Sequence, residues 1–326
     1  MRFFITGGAG FIGGHLAEAL IRRGDRVVAL DNLSTGSMAN IAALKDDPGF
    51  EFIRADVVRD ASLVRDCVKD ADAVIHLAAA VGVDLVVKEP VRTITTNVHG
   101  TENVLTPAAE FGKRIIIAST SEVYGKSANE RFAEADDLVI GTSVHSRWSY
   151  ACSKLLDEFL LMAYCRSQKL PGTVVRFFNT VGPRPTGRYG MVIPRFVGAA
   201  LKNAPLQVYG DGGQSRCFCH VADVVRALLL LIDEPRSFGE VYNIGSDESI
   251  TIRALAERVI SRTGSSSAIE LVPYDVAYAA GFEDMRRRRP ATEKITSLTG
   301  WKPQKSLDEI IDDVAASLRR DFPRSR

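Results

Sequence analysis

Short apolar runs recur along the first half of the chain, and each is followed by a stretch whose hydrophobic residues repeat at helical spacing. Phe3–Thr6, Arg26–Leu30, Glu51–Arg54, Ala73–Leu77, Arg114–Ala118 and Thr173–Phe177 read as buried strands. The segments between them, at about 12–23, 38–45, 60–70, 88–111 and 147–168, read as helices. Nearly continuous Val/Ile/Leu strands separated by helices imply a parallel sheet covered on both faces, the doubly wound α/β class.

After Phe177 the pattern changes. Gly, Pro and Arg gather in Gly182–Gly190, and glycines recur in Gly210-Asp211-Gly212-Gly213, where loops are expected. Shorter elements follow: helices near 191–202, 221–233, 251–263 and 306–321, and a strand at Val241–Ile244. The expected organisation is a nucleotide-binding domain over 1–177 and a smaller lobe over 178–326, with part of 214–250 handed back to the sheet.

Composition narrows the class. Hydrophobic residues make up 46% and charged residues 25%, ordinary values for a packed globule. Basic residues number 41 against 40 acidic ones, which gives no reason to expect a nucleic-acid or membrane partner. Runs such as Val74–Val83 and Ala227–Ile232 are far short of a membrane span, and a glycine loop begins at Gly7 with no room for a leader before it. Five cysteines at irregular spacing fit a reducing compartment, so a cytoplasmic protein is expected.

Thr6-Gly7-Gly8-Ala9-Gly10-Phe11-Ile12-Gly13 joins the first strand to the first helix. Glycines there let the backbone turn tightly and approach a pyrophosphate, whose charge then faces a helix N-terminus. A glycine triplet alone also fits a plain strand–helix turn. Here Asp31 ends the second strand, where a carboxylate can accept both ribose hydroxyls and repel a 2′-phosphate. The expected cofactor is therefore NAD, with Asp56 near the adenine end and Asn97 bracing the sheet or touching the cofactor.

Tyr150 and Lys154 lie one helical turn apart and so share a face. A free phenol is a poor base at neutral pH, but a neighbouring ammonium and a positive nicotinamide both favour the phenolate. Such a pair can take a proton from an alcohol while hydride leaves for the cofactor. The helix follows a strand ending in Ser119-Thr120-Ser121-Glu122-Val123-Tyr124-Gly125, at the sheet edge where ligands of such folds bind.

At this point the chain resembles the extended short-chain dehydrogenase/reductases that modify nucleotide sugars, which carry a Rossmann domain and a smaller substrate lobe. The matching motifs are Gly7–Gly13, Asp31–Gly36, His76–Ala79, Asn97, Ser119–Gly125, Tyr150–Lys154, Arg176–Arg184 and Val208–Asp223. The resemblance implies that Thr120 assists Tyr150 and Lys154 in catalysis. It places NAD against Gly7, Gly10, Phe11, Ile12, Gly13, Asp31, Asn32, Ser34, Thr35, Gly36, Asp56, Val57, Leu77, Ala78, Ala79 and Asn97. It places a UDP-sugar against Val81, Gly82, Thr120, Ser121, Glu122, Asn179, Arg184, Val192, Arg216 and Arg288, the last being one of four consecutive arginines. It also implies a homodimer formed through the helices at 88–111 and 147–168.

Three reactions share this constellation. The 4,6-dehydratases carry Thr-Asp-Glu at the strand end, and Ser121 is too weak an acid for that role. UDP-glucuronate decarboxylases resemble Thr120-Ser121-Glu122, but their tyrosine motif reads Tyr-x-x-Gly-Lys-Arg, against Tyr150-Ala-Cys-Ser-Lys154-Leu155 here. The latter form looks like the 4-epimerases. Arg184 falls where relatives that handle uronates present an arginine to the sugar carboxylate, which its fork can meet bidentately; a loop-capping role is the plainer alternative. The expected activity is thus 4-epimerisation of UDP-glucuronate through a 4-keto sugar. UDP-glucuronate decarboxylation and UDP-glucose epimerisation are the alternatives, and a non-catalytic nucleotide-sugar sensor is the reading from another class. A 4-keto uronate is a β-keto acid that loses CO₂ readily, so such an epimerase must clamp the carboxylate.

Weaker signals stay structural. Cys217-x-Cys219-His220 lacks the second ligand pair of a closed zinc site, so no metal is expected. His76 reads as a packing residue, and Val81-Gly82-Val83 as a pocket wall or a plain loop.

Overall fold

The computed structural model describes residues 1–82, 86, 88–184, 191–274 and 285–321. Seven parallel strands form the central sheet: β1 (Arg2–Thr6), β2 (Arg26–Asp31), β3 (Phe50–Arg54), β4 (Ala73–His76), β5 (Arg114–Thr120), β6 (Gly172–Phe177) and, from much later in the chain, β11 (Glu240–Ile244). Their order is β11-β6-β5-β4-β1-β2-β3. Connections reverse direction between β1 and β4, which opens a crevice at the carboxyl ends of those strands.

Alternation along each strand feeds two cores. Phe3 and Ile5 of β1, Ile75 of β4 and Ile116 of β5 point to one face, under α1 (Phe11–Arg22) and α6 (Val221–Ile232). Phe4, Val74, Ile115 and Ile117 point to the other, under α2 (Ala61–Asp70), α3 (Pro90–Glu110) and α4 (Ser149–Gln168). Both faces are covered, which is why these strands read as unbroken apolar runs.

The segment expected as a helix near 38–45 is a 3-10 helix, Met38–Leu44, capped by the Ser37 hydroxyl. Asn40 within it donates to the Ala9 carbonyl at 2.8 Å, so its geometry follows the glycine loop instead of an amphipathic pattern.

A separate core lies in the C-terminal lobe, where α5 (Val192–Ala200), α7 (Ile252–Thr263) and α9 (Leu307–Asp321) pack around Phe196, Leu255 and Ile311. Small strand pairs border it: β7 (Thr180–Val181) with β10 (Cys219–His220), β8 (Leu206–Tyr209) with β13 (Ile269–Val272), and β9 (Ser215–Cys217) with β12 (Ser249–Thr251). β11, α6 and Trp301, just after α8 (Glu293–Thr299), instead join the first core under the sheet. No helix among the described residues is long and apolar enough to cross a membrane.

Candidate active site

The crevice contains a cavity of about 360 Å³ running from the glycine loop to Tyr150. Gly7 has φ +71°, and a Cβ there would stand 2.8 Å from the Ala78 amide nitrogen; on Gly13 it would overlap the Gly7 carbonyl. Only glycine permits this close passage of the loop over the end of β4. The Gly7 amide donates to the Leu30 carbonyl at 2.8 Å, tying the loop to β2.

Asp31 sits at the end of β2 with its carboxylate accepting the amides of Leu33 at 2.8 Å and Ala9 at 3.1 Å. Burial pushes this carboxyl up, against those two bonds. A Cβ on Gly36 would lie 2.8 Å from both Asp31 oxygens, so that glycine acts by leaving room beside the carboxylate. Asp56 accepts from Asn32 at 2.8 Å and from the Val58 amide at 2.8 Å; burial raises its pKa, but these bonds hold it below the usual range. The cradle, the carboxylate and the cavity fit a dinucleotide with free ribose hydroxyls. Gly10, Phe11, Ile12, Ser34, Thr35, Val57, Leu77, Ala78, Ala79, Val81 and Gly82 line the same cavity.

At the far end stand Thr120, Tyr150 and Lys154. Thr120 ends β5, and its hydroxyl both caps the following turn by accepting the Glu122 amide at 3.2 Å and hydrogen-bonds the Tyr150 phenol. Burial and then the charge of Glu122 push Tyr150 upward, while the Thr120 bond and Arg147 pull it down. Burial thus opposes ionisation of the phenol, and added positive charge would favour it. Lys154 pairs with Asp157 at 2.6 Å.

Behind the phenol lies a buried charge cluster. Glu122 is bonded to Arg147 and meets Arg288 at 2.8 Å, with all three side chains at most 14% exposed. Burial opposes the Glu122 charge, but Arg147 and Arg288 overcome it and hold the carboxyl at about 2. Glu122 thus bridges two guanidinium groups that come from distant parts of the chain. Deeper still, Glu158 takes the Ser119 hydroxyl and pairs with Arg176 at 2.7 Å; Arg176 also donates to Tyr124 at 2.9 Å.

Several expected contacts are relocated. Asn97 does not line the cavity: it accepts the Ala80 amide at 2.7 Å and donates to Ser153 at 2.9 Å, bracing the wall against α4. Arg184 does not line the cavity. Its guanidinium grips Glu18 of α1 at 2.5 Å, the Asn40 carbonyl at 2.7 Å and the His15 ring at 2.9 Å. Its backbone, at φ +60°, donates to Ser317 of α9 at 2.9 Å, so Arg184 fastens the two lobes together. Val192 stands outside the cavity lining, where its neighbour Met191 takes the place. Asn179, at φ +35°, donates to the Cys217 carbonyl at 2.8 Å, and Arg216 is buried in the adjoining strand; neither lines the cavity, and nor do Ser121, Glu122 and Arg288. Val83 lies outside the described residues.

Other features escaped sequence reasoning. Arg92 and Thr96 line the cavity from α3. Arg147 and Asp157 flank the Tyr150–Lys154 turn, and the only sequence signal was a charged residue on each side of that motif. His76 sits between Thr6 at 2.6 Å and Thr101 at 3.1 Å; burial and then Lys154 push it down to about 3, so it is a neutral link in the packing. Cys217 and Cys219 are buried thiols, pushed up by burial. Among the described residues no group of acidic, Cys and His side chains is arranged to hold a metal.

Comparison with known proteins places this geometry. Residues 4–314 match the family described as GDP-mannose 4,6 dehydratase. The chain belongs to this NAD-dependent nucleotide-sugar dehydratase and epimerase family of extended short-chain dehydrogenase/reductases. It is 41% identical to the UDP-N-acetyl-α-D-glucosaminuronate decarboxylase of Bacillus cytotoxicus over 319 residues, 98% of both chains. It is 35% identical to UDP-glucuronic acid decarboxylase 1 of Arabidopsis thaliana, spanning 98% of this chain and 70% of that one. Among solved structures, the UDP-glucuronic acid 4-epimerase of Bacillus cereus, in complex with UDP-glucuronic acid and NAD, superposes with a TM-score of 0.88 at 26% identity, covering 99% of this chain and 100% of that one.

Two outcomes are expected. Tyr150→Phe keeps the ring packing but removes the proton acceptor; it should bind NAD as wild type does while turnover falls on the order of 100- to 10,000-fold, measured by calorimetry and product formation. Retained turnover would remove Tyr150 from the chemistry. Arg184→Ala frees Glu18, on the helix that follows the glycine loop, and the backbone of Asn40, whose side chain holds Ala9 in that loop, so NAD should dissociate faster and the holoprotein should melt lower, as dialysis and thermal unfolding would report. Unchanged NAD retention would mean the fastening does not reach the cofactor.

Proposed function

We propose that the chain is an NAD-dependent decarboxylase of a UDP-hexuronate, UDP-N-acetylglucosaminuronate or UDP-glucuronate, yielding the matching UDP-pentose. The observation that carries this reading is Arg184. Epimerisation of a uronate requires its carboxylate to be clamped out of the geometry that loses CO₂, and the arginine expected to do so is committed to Glu18, Asn40 and His15. The 41% identity with a uronate decarboxylase over 98% of both chains supports the same choice. The expectation of an epimerase, drawn from the Tyr-Ala-x-Ser-Lys form, gives way to it.

Bound NAD would supply the hydride acceptor at C4 of the sugar and return that hydride at the end, so the cycle has no net oxidation. Tyr150 takes the C4 hydroxyl proton, with Thr120 bonded to the same phenol. The resulting ketone lies β to the carboxylate, and the C5–C6 bond breaks as CO₂ leaves and its electron pair enters the enolate. A proton drawn from water is then added to C5 in place of the lost carboxylate, and Tyr150 gives its proton back to the C4 oxygen as the hydride returns to C4. Lys154, Asp31 and the glycine loop hold the cofactor, and Asn179, Arg216 and Arg288 are assigned to the substrate diphosphate.

We also assign the chain as a homodimer. α3 and α4 pack side by side and expose Val91, Ile94, Leu156 and Phe159, the last at 61%. Apolar side chains on neighbouring helices make a surface that a second copy can cover.

Purified protein given each UDP-uronate should release CO₂ and a UDP-pentose detected by mass spectrometry, with no accumulation of NADH. A product of unchanged mass would identify an epimerase instead, and no turnover with bound NAD would favour a sensor. Phe159→Asp should convert a sedimenting dimer to monomer; a wild-type monomer would overturn the assembly.

A further inference from the structure

Lys154 owes its usual importance to a positive charge near the phenol, yet here that charge has a dedicated partner. Asp157 lies one turn further along α4, and its carboxylate holds the ammonium at 2.6 Å with both side chains at most 3% exposed. The other carboxylates nearby are matched elsewhere: Glu158 by Arg176, and Glu122 by Arg147 and Arg288. Asp157 is therefore the acid whose counter-ion is the lysine of the catalytic pair itself.

Asp157 is also held from α3. Thr101 hydrogen-bonds it, and the Thr101 hydroxyl meets His76, whose other nitrogen meets Thr6. Thr6 in turn accepts the Ala78 amide at 3.3 Å, directly beneath the glycine loop. A buried polar chain thus runs from the catalytic lysine to the cofactor cradle. His76 is neutral in it, so the charges along the chain are those of Lys154 and Asp157.

We propose that Asp157 is a positioning residue for Tyr150: by holding Lys154 it cancels part of the ammonium's field at the phenol oxygen, and so withholds the base until the oxidised nicotinamide adds its own charge. The proposal rests on the reading of Tyr150 as the base. The groups facing the phenol are consistent with it. Glu122 from the turn after β5 and Asp157 from α4 both disfavour the phenolate, whereas the Thr120 bond and Arg147, just before α4, favour it. Burial raises Asp157 and Lys154 lowers it. A withheld base limits idle oxidation chemistry and makes proton removal conditional on a loaded site.

The sign is testable. Asp157→Asn keeps the shape and removes the negative charge, which should lower the pKa of Tyr150. Ultraviolet difference titration of tyrosinate in the chain without sugar, with the same titration of the Tyr150→Phe background subtracted, should show the Tyr150 midpoint falling by roughly one pH unit. The acid limb of NAD reduction by the UDP-uronate should shift the same way, with KM changing by less than about threefold. Asp157→Glu should restore the wild-type midpoint, and Asp157→Ala serves as the second charge-removing variant if the Asn form folds poorly. A midpoint that stays or rises would overturn the proposal and leave Asp157 as a structural tether for Lys154. Because the titration uses no sugar, its outcome is independent of which uronate reaction the chain performs.

Discussion

The site depends on one constraint: the buried charges around Tyr150 are paired, because leaving one unpaired in a dry interior is strongly destabilising. Lys154 is matched by Asp157, Glu158 by Arg176, and Glu122 by Arg147 and Arg288. These pairs come from the turn after β5, α4, β6 and the segments just before α4 and α8, so satisfying them also fixes where the elements meet. Removing a single partner would leave a buried ion beside the phenol.

The same constraint explains what happened to Arg184. An arginine in a loop between lobes was free, on sequence grounds, to face a sugar carboxylate. In the folded chain Glu18 offers a fixed carboxylate on α1 and Asn40 a fixed carbonyl, and the guanidinium is held by both. On the proposed reading the consequence is chemical as well as structural: a β-keto acid formed at C4 would have no clamp from this residue, and loss of CO₂ would be its easiest course.

Much of the nucleotide half was legible because local rules govern it. Gly7 and Gly13 answer to steric contact with Ala78 and the Gly7 carbonyl, and Asp31 follows from strand length. Tyr150 and Lys154 were legible from helical spacing. What could not be read depends on pairs distant in sequence: Glu122 with Arg288, and Arg176 with Glu158 across two elements; a strand returning from 214–250 to the sheet was legible, its place beside β6 was not. Asp157 was hidden differently. A carboxylate near a helix lysine is common on surfaces, and only its burial gives it a role.

The central claim is that the C5–C6 bond breaks and C5 is reprotonated within the site. Turnover of the UDP-uronate in heavy water tests it most directly, with the product examined by proton magnetic resonance. The account predicts a UDP-pentose carrying a single deuterium at C5 in one configuration, formed together with CO₂. A UDP-hexuronate inverted at C4 with no deuterium at C5 would contradict it.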